Sequence, residues 1–284
     1  MNTPQEVTAD ALLRASPLPA LETRILLMHV LGWRRTELIT RGDQALDAAR
    51  VTAYRALEAR RAAGEPIAQL VGAREFFGLD FEVTPDVLIP RPETELLVET
   101  ALAAMAGIAQ PRVLDLGTGS GAIAVAIASV RPDARVWAVD RSPGALAVAA
   151  RNAATLLDAE RPGGALSFVE GSWYSTLDAA LHFDVIVSNP PYIANGDPHL
   201  DQGDLRFEPR GALTDEADGL TCLRAIVEGA PAHLVAGGVL WMEHGYDQAA
   251  AVRALLDARG FAEVASKRDL AGIERISGGR LHGI

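Results

Sequence analysis

From residue 112 onward, short apolar runs alternate with segments of helical period, and this alternation limits the fold more than any other property of the chain. The runs are Arg112 to Leu116, Arg135 to Asp140, Leu166 to Glu170, Phe183 to Ser188 and Gly238 to His244. Between them, Ala122 to Val130, Pro143 to Leu157, Leu220 to Val235 and Asp247 to Arg259 repeat apolar residues at helical spacing. Strands separated by helices do not pair as hairpins; they form a largely parallel sheet with helices on both faces. Runs near Ala262 to Lys267 and Ile273 to Ser277 lack an intervening helix and predict a closing antiparallel pair. The expectation is an α/β domain built on a mostly parallel seven-stranded sheet.

Upstream, the texture changes. Thr3-Pro4 reads as a helix start, with Thr3 as cap and Pro4 in the first turn. Leu21, Ile25, Met28 and Leu31 share one helical face, which Gly32 ends. Thr36 is placed to cap a short helix, and Ala48 to Ala63 forms another before Gly64-Glu65-Pro66 breaks it. Phe76 to Val83 alternates around Gly78 as a β-hairpin does. The chain therefore divides into a small helical domain over residues 1–73, a β-hairpin linker over 74–92 and the α/β domain over 93–284. The helical part carries no catalytic constellation, and its expected use is recognition of a macromolecular substrate.

Bulk properties remove several classes of function. No apolar run approaches the ~20 residues of a membrane span, and the N-terminus lacks a basic-then-apolar signal pattern. A cytoplasmic protein with no membrane partner is expected. The single cysteine, Cys222, excludes an internal disulfide. A formal net charge of −11 argues against binding nucleic acid through a broad basic surface. The six histidines show no metal-ligand spacing, so no metal is expected.

Two strand ends carry chemistry. Asp115-Leu116-Gly117-Thr118-Gly119-Ser120-Gly121 sits at a strand-to-helix turn, where glycines let backbone approach a ligand. Gly117 to Ala122 fits a loose dinucleotide pattern, which keeps a nicotinamide dehydrogenase in view. A carboxylate at Asp115, however, suits the ammonium of S-adenosylmethionine and would repel a pyrophosphate. Asp140 ends the next strand, where a carboxylate takes ribose hydroxyls or caps the helix at Ser142-Pro143. Trp173 follows the third strand and either stacks on an adenine or fills the core edge. The fourth strand stops at Asn189-Pro190-Pro191-Tyr192, because two prolines remove two backbone donors. The Asn189 oxygen and the Pro190 carbonyl can together accept both hydrogens of a planar NH2 group. All these residues fall at strand C-terminal ends, where open α/β sheets bind ligands.

The corner resembles the Asn-Pro-Pro-Tyr motif of methyltransferases acting on amide or exocyclic amino nitrogens. The whole chain resembles one family, the glutamine methyltransferases of peptide chain release factors (PrmC, also called HemK). The shared segments are Glu65-Pro66-Ile67, Phe76-Phe77-Gly78, Ile89-Pro90-Arg91-Pro92-Glu93-Thr94-Glu95, Asp115 to Gly121, Asn189 to Ile193, Phe207 to Arg210 and Glu243-His244-Gly245. The resemblance implies a Rossmann-like class I methyltransferase domain behind a helical one. It also implies methyl transfer from S-adenosylmethionine to the glutamine side-chain nitrogen (N5) of a Gly-Gly-Gln motif, supporting translation termination. Asp115, Gly117, Thr118, Gly119, Ser120, Gly121, Asp140, Trp173 and Asn189 would bind the cofactor. Asn189, Pro190, Pro191 and Tyr192 would hold the glutamine, with Asn189, Pro190 and Tyr192 catalytic. The partners are release factors, met by a monomer without direct nucleic-acid contact.

Three other functions compete. An adenine-N6 methyltransferase acting on DNA or RNA shares the corner but needs a basic groove. A dehydrogenase leaves the Pro-Pro corner unexplained, and a non-catalytic S-adenosylmethionine-binding partner of translation leaves Asn189 and Tyr192 without a purpose. Residues 193–218 form a long acidic loop expected to face substrate, with Asp197, Asp201, Asp204 and Glu208 suited to a basic partner or to solvent.

Overall fold

The computed structural model describes residues 6–282; the expected helix start at Thr3-Pro4 lies outside them. The chain forms two compact units that divide between Ala73 and Arg74.

The first unit is helical: α1 (Ala9–Ala15), α2 (Ala20–Leu31), α3 (Arg35–Thr40), α4 (Ala48–Ala62) and α5 (Ile67–Val71). Thr8 caps α1 by accepting from the Ala11 N–H, and Asp47 caps α4 by accepting from the Arg50 N–H. Gly32 ends α2 at φ 65°. The core gathers Leu12, Leu26, Leu27, Leu31, Leu38, Tyr54 and Leu70. Two expectations change here. Leu21 is 68% exposed, because α2 turns its Thr23, Leu26, Leu27 and Leu31 face inward. Thr36 lies inside α3; the cap is Glu37, whose carboxylate accepts from the Arg34 N–H.

From the division onward, β1 (Ala73–Phe76) and β2 (Leu79–Glu82) form the hairpin, and α6 (Glu95–Ala104) precedes the main sheet of the second unit. The sheet and its helices follow as β3 (Arg112–Leu116), α7 (Ala122–Val130), β4 (Arg135–Asp140), α8 (Pro143–Leu156), β5 (Ser167–Glu170) and β6 (Phe183–Ser188). Then come α9 (Arg210–Leu213), α10 (Thr221–Gly229), β7 (Leu234–Glu243), α11 (Ala249–Ala258), β8 (Phe261–Arg268) and β9 (Glu274–Leu281). The order across the sheet is β5-β4-β3-β6-β7-β9-β8. The first five strands run parallel, and β9 pairs antiparallel with both β7 and β8.

Successive strand residues point to opposite faces, and both faces are covered. Val113, Val185 and Val187 join α6 and α7 in one apolar cluster; Leu114, Ile186, Leu240 and Met242 join α10 and α11 in the other. This two-sided burial explains why the strands read as continuous apolar runs. Helix α7 is buried throughout Ala122 to Ala128, and its small residues let α8 come close. A Cβ on Gly121, at φ 80°, would meet the Ala149 Cβ at 3.0 Å.

The hairpin packs into this core. Phe76 and Phe81 are buried in it edge to face, 6.0 Å between centroids. Asn152 of α8 fastens β2, accepting from the Glu82 N–H at 2.7 Å and donating to the Glu82 carbonyl at 3.1 Å. The helix expected to reach Val235 stops at Gly229, where a 3-10 turn with Pro231 begins, and β7 starts early, at Leu234. Residues 193–218 are not structureless. They hold 3-10 turns at Pro198–Asp201 and Gly203–Phe207, helix α9, and a bridge between Ile193 and Thr214. Among the described residues, no helix is long and apolar enough to cross a membrane.

Candidate active site

Going outward from β3, the chain lays β4 and β5 on one side, then returns to place β6 on the other. Such a reversal opens a crevice at the strand C-terminal ends. A cavity of about 400 Å³ lies there, lined by Gly117 to Ser120 after β3, Asp140 after β4, Trp173 after β5 and Asn189 after β6.

The glycine loop is shaped from below and from the side. Gly117 sits at φ 72°, a conformation that favours glycine, and the Trp173 ring lies beside it, 3.6 Å from where a Cβ would stand, an ordinary contact distance. Trp173 itself adopts φ 53°, a left-handed conformation costly for a bulky residue and typical of sites held by their surroundings. Asp140 accepts from the Gly119 N–H and the Ser142 N–H, each at 2.9 Å, so one carboxylate organises both the loop and the start of α8. Each oxygen retains a lone pair for a further donor. Ribose hydroxyls are donors of that kind, and Ser142 takes over the helix cap by accepting from Ala145.

The remaining cofactor candidates do not line the cavity. Asp115 is fully buried beneath the loop, where Oδ2 accepts from the Thr118 hydroxyl at 2.6 Å and Oδ1 has no hydrogen-bond partner. Burial pushes its pKa up to about 7. It reaches the cavity through Thr118 and not directly. Gly121 serves the close packing of α7 on α8.

At the other end, Asn189 and Pro191 line the cavity, whereas Pro190 is buried behind them and Tyr192 turns away. The Tyr192 hydroxyl donates to Glu243 Oε1 at 3.2 Å, and burial raises its pKa. Asn189 Nδ2 donates to Thr94 Oγ1 at 3.2 Å, and that hydroxyl donates to Glu243 Oε2 at 2.6 Å.

Residues 86–94 form a wall that motif reasoning registered without placing. Asp86, Val87, Leu88, Pro90, Arg91 and Thr94 all line the cavity. Their anchor is Glu208, which accepts from the Ile89 N–H at 2.8 Å and from the Arg91 guanidinium. Glu208 thus belongs inside the protein, not on an acidic surface. Glu95 accepts from the Phe77 N–H at 3.0 Å, tying the same segment to the hairpin. The signal was in the sequence as Pro90-Arg91-Pro92-Glu93-Thr94-Glu95, but each partner lies far along the chain.

The residues present fit S-adenosylmethionine: glycine backbone open to a ligand, an aromatic face at Trp173, and carboxylate acceptors at Asp140 with Asp115 beneath. Among the described residues, no cluster of three or more His, Cys, Asp or Glu is placed to hold a metal ion.

Residues 7–72 match the family described as PrmC N-terminal domain, and residues 92–203 match Methyltransferase small domain. A release factor glutamine methyltransferase of Burkholderia pseudomallei is 71% identical, covering 100% of both chains. That of Bordetella pertussis is 59% identical over 93% of this chain and 96% of its own. A solved T. thermophilus 16S rRNA N2 methyltransferase in complex with AdoMet and guanosine shares the fold, at 21% identity and TM-score 0.51, over 74% of this chain and 50% of that one. The corner at Asn189, the glycine loop and identity along the full length agree: the chain belongs to the release factor glutamine methyltransferase family.

Proposed function

We propose that this protein transfers a methyl group from S-adenosylmethionine to the side-chain nitrogen (N5) of the glutamine in the Gly-Gly-Gln motif of peptide chain release factors, supporting translation termination. The observation that carries this reading is one cavity that joins the glycine loop, Asp140 and Trp173 to Asn189. The names of the relatives supply the substrate class.

Gly117, Thr118, Gly119, Ser120, Asp140 and Trp173 hold the cofactor, with Asp115 supporting the loop. When bound, S-adenosylmethionine supplies an electrophilic methyl group on a sulfonium. An amide nitrogen is a poor nucleophile because its lone pair is delocalised into the carbonyl. The Asn189 oxygen and the Pro190 carbonyl each accept one amide hydrogen, which returns electron density to nitrogen and aims it. Orientation of this kind supplies up to roughly 7–11 kcal/mol in well-ordered systems. Pro191 and Tyr192 keep the corner rigid, with the Tyr192 hydroxyl tied to Glu243. No dedicated base is needed, because the methylated nitrogen is acidic and loses its proton late. The helical unit serves to recognise the release factor, and residues 193–218 face it. The protein acts as a monomer in the cytoplasm, without direct nucleic-acid or membrane contact.

The test is transfer of labelled methyl from S-adenosylmethionine to a purified release factor, beside the same factor with its Gly-Gly-Gln glutamine replaced. Label on the intact factor alone is expected. Label on DNA or RNA instead would establish the adenine-methylating alternative.

A further inference from the structure

We propose that Glu243 is a positioning residue: through the Thr94 hydroxyl it fixes which edge of the Asn189 amide is offered to the cavity, and through the Tyr192 hydroxyl it holds the far end of the same corner. This rests on the methyl-transfer reading above and adds a residue that never touches substrate.

Hydrogen-bond polarity makes the case. Glu243 is 2% exposed at the end of β7, and an ionised carboxylate can only accept. Thr94 Oγ1 lies 2.6 Å from Oε2, so its single proton points there. What remains on Oγ1 are lone pairs. The Asn189 group 3.2 Å away must therefore be the NH2 and not the oxygen. Amide nitrogen and oxygen lie on opposite edges of one plane, so Nδ2 is held against Thr94 and Oδ1 is left for an incoming donor. Tyr192 closes the circuit at 3.2 Å from Oε1. Three distant segments, around Thr94, Asn189 to Tyr192 and Glu243, are locked in one register.

Protonating Glu243 breaks this logic. A carboxylic acid can donate to Thr94, whose own hydrogen is then free to be donated to Asn189 Oδ1, so the flipped amide is satisfied as well. The groups facing Glu243 are Thr94, Tyr192, Glu93 and Arg275, with Glu93 raising its pKa and Arg275 lowering it. Arg91 and Arg275 also act on Tyr192. Neighbouring His244 is directed elsewhere, to Ser277 Oγ at 2.7 Å and the Gly245 carbonyl at 2.9 Å, and burial lowers its pKa. Burial dominates at Glu243 and pushes it up to about 7, so the switch between acceptor and donor falls in the working range.

The experiment measures kcat for the release-factor glutamine at saturating cofactor from about pH 6 to 8, with cofactor affinity measured separately by calorimetry. For the unaltered protein, kcat rises through about pH 7 as Glu243 ionises. Glu243→Gln removes that limb and lowers kcat roughly 10- to 100-fold, the scale of an ångström-sized misplacement. Thr94→Val keeps the shape and removes the hydroxyl; it lowers kcat to a similar degree and leaves cofactor affinity within about twofold. Thr94→Ser restores kcat to within about threefold of the parent. Asp115 titrates in the same range but lies under the cofactor loop, so its effect appears in affinity and persists in Glu243→Gln. A folded Thr94→Val protein with parental kcat overturns the proposal. So does a Thr94→Ser protein no better than the valine, or a Glu243→Gln protein that keeps the limb. If Glu243→Gln does not fold, the two threonine variants decide alone. Failure of the broader reading looks different: the unaltered protein transfers no label at any pH.

Discussion

Two buried carboxylates in this molecule each hold a threonine hydroxyl at 2.6 Å, and burial pushes both up to about 7: Asp115 under the glycine loop and Glu243 behind the Asn189 corner. They differ in reach. Asp115 takes Thr118, three residues along, and its Oδ1 has no hydrogen-bond partner. Glu243 takes Thr94 and Tyr192, which lie 149 and 51 residues away, and both its oxygens are occupied. The first carboxylate shapes a turn that the local sequence already favours. The second imposes a register on segments that have no other reason to meet. The cofactor end is therefore built from local geometry and the substrate end from long-range ties, and the two should respond differently to the same chemical insult.

The largest contrast is in stability against pH. Asp115 rises from an ordinary 3.8 to about 7 in the folded protein. Between those values the unfolded chain releases the proton while the folded one keeps it. Stability is thus full below about pH 4, falls as pH rises, and levels off above about 7. At 1.36 kcal/mol per unit this amounts to on the order of 4 kcal/mol. Glu243 acts in the same direction from 4.5. Asp115→Asn and Glu243→Gln should each flatten the fall in Tm between about pH 4 and 7, and only the second should change turnover. Equal slopes in parent and Asp115→Asn would mean that the carboxylate is solvated. Next in size, Asn189→Ala should lower turnover by roughly 10²–10³-fold, about 3–4 kcal/mol, as removal of one transition-state hydrogen-bonding group does. Cofactor affinity should hardly move, because the Asn189 amide is anchored on Thr94, at the substrate end. Equal loss of both quantities would relocate Asn189 to the cofactor end.

The sequence is legible wherever structure follows from neighbours. Phe183 to Ser188 ends where Pro190-Pro191 forbids continuation, and the strand stops at Ser188 as the prolines require. Gly117 to Asp140 could be placed because a parallel sheet sends successive strand ends to one edge. Thr94 could not, although its motif was conspicuous: its partners sit on β7 and after β6, and no periodicity encodes a hydrogen bond across 149 residues. Glu208 was misplaced for the same reason, since its charge suggested solvent until the Ile89 N–H and Arg91 appeared opposite it. Leu21 shows another limit: several apolar residues of α2 compete for one inward face, and periodicity placed Met28 and Leu31 correctly but Leu21 wrongly.

At the cofactor end the next effect is smaller. Asp140→Ala removes two acceptors from backbone N–H groups and whatever the ligand donates, so cofactor affinity should weaken roughly 10- to 100-fold, about 1.5–3 kcal/mol. Turnover at saturating cofactor should change much less. A fall in turnover with intact affinity would show that the two ends are not separable.

The smallest effect isolates backbone from ring at Trp173. Its φ of 53° lies where a side chain costs energy and glycine does not. Trp173→Ala deletes the ring and keeps the strain, whereas Trp173→Gly deletes the ring and relieves it. Both should lose the same cofactor affinity, since neither offers an aromatic face. Glycine should nevertheless melt higher than alanine by the equivalent of about 1 kcal/mol, less the entropy that glycine returns to the unfolded chain. If alanine is the more stable of the two, the left-handed turn is not strained. The aromatic ring would then be the whole reason a tryptophan stands beside Gly117, and this part of the cofactor end would depend on packing as fully as the substrate end depends on its distant hydrogen bonds.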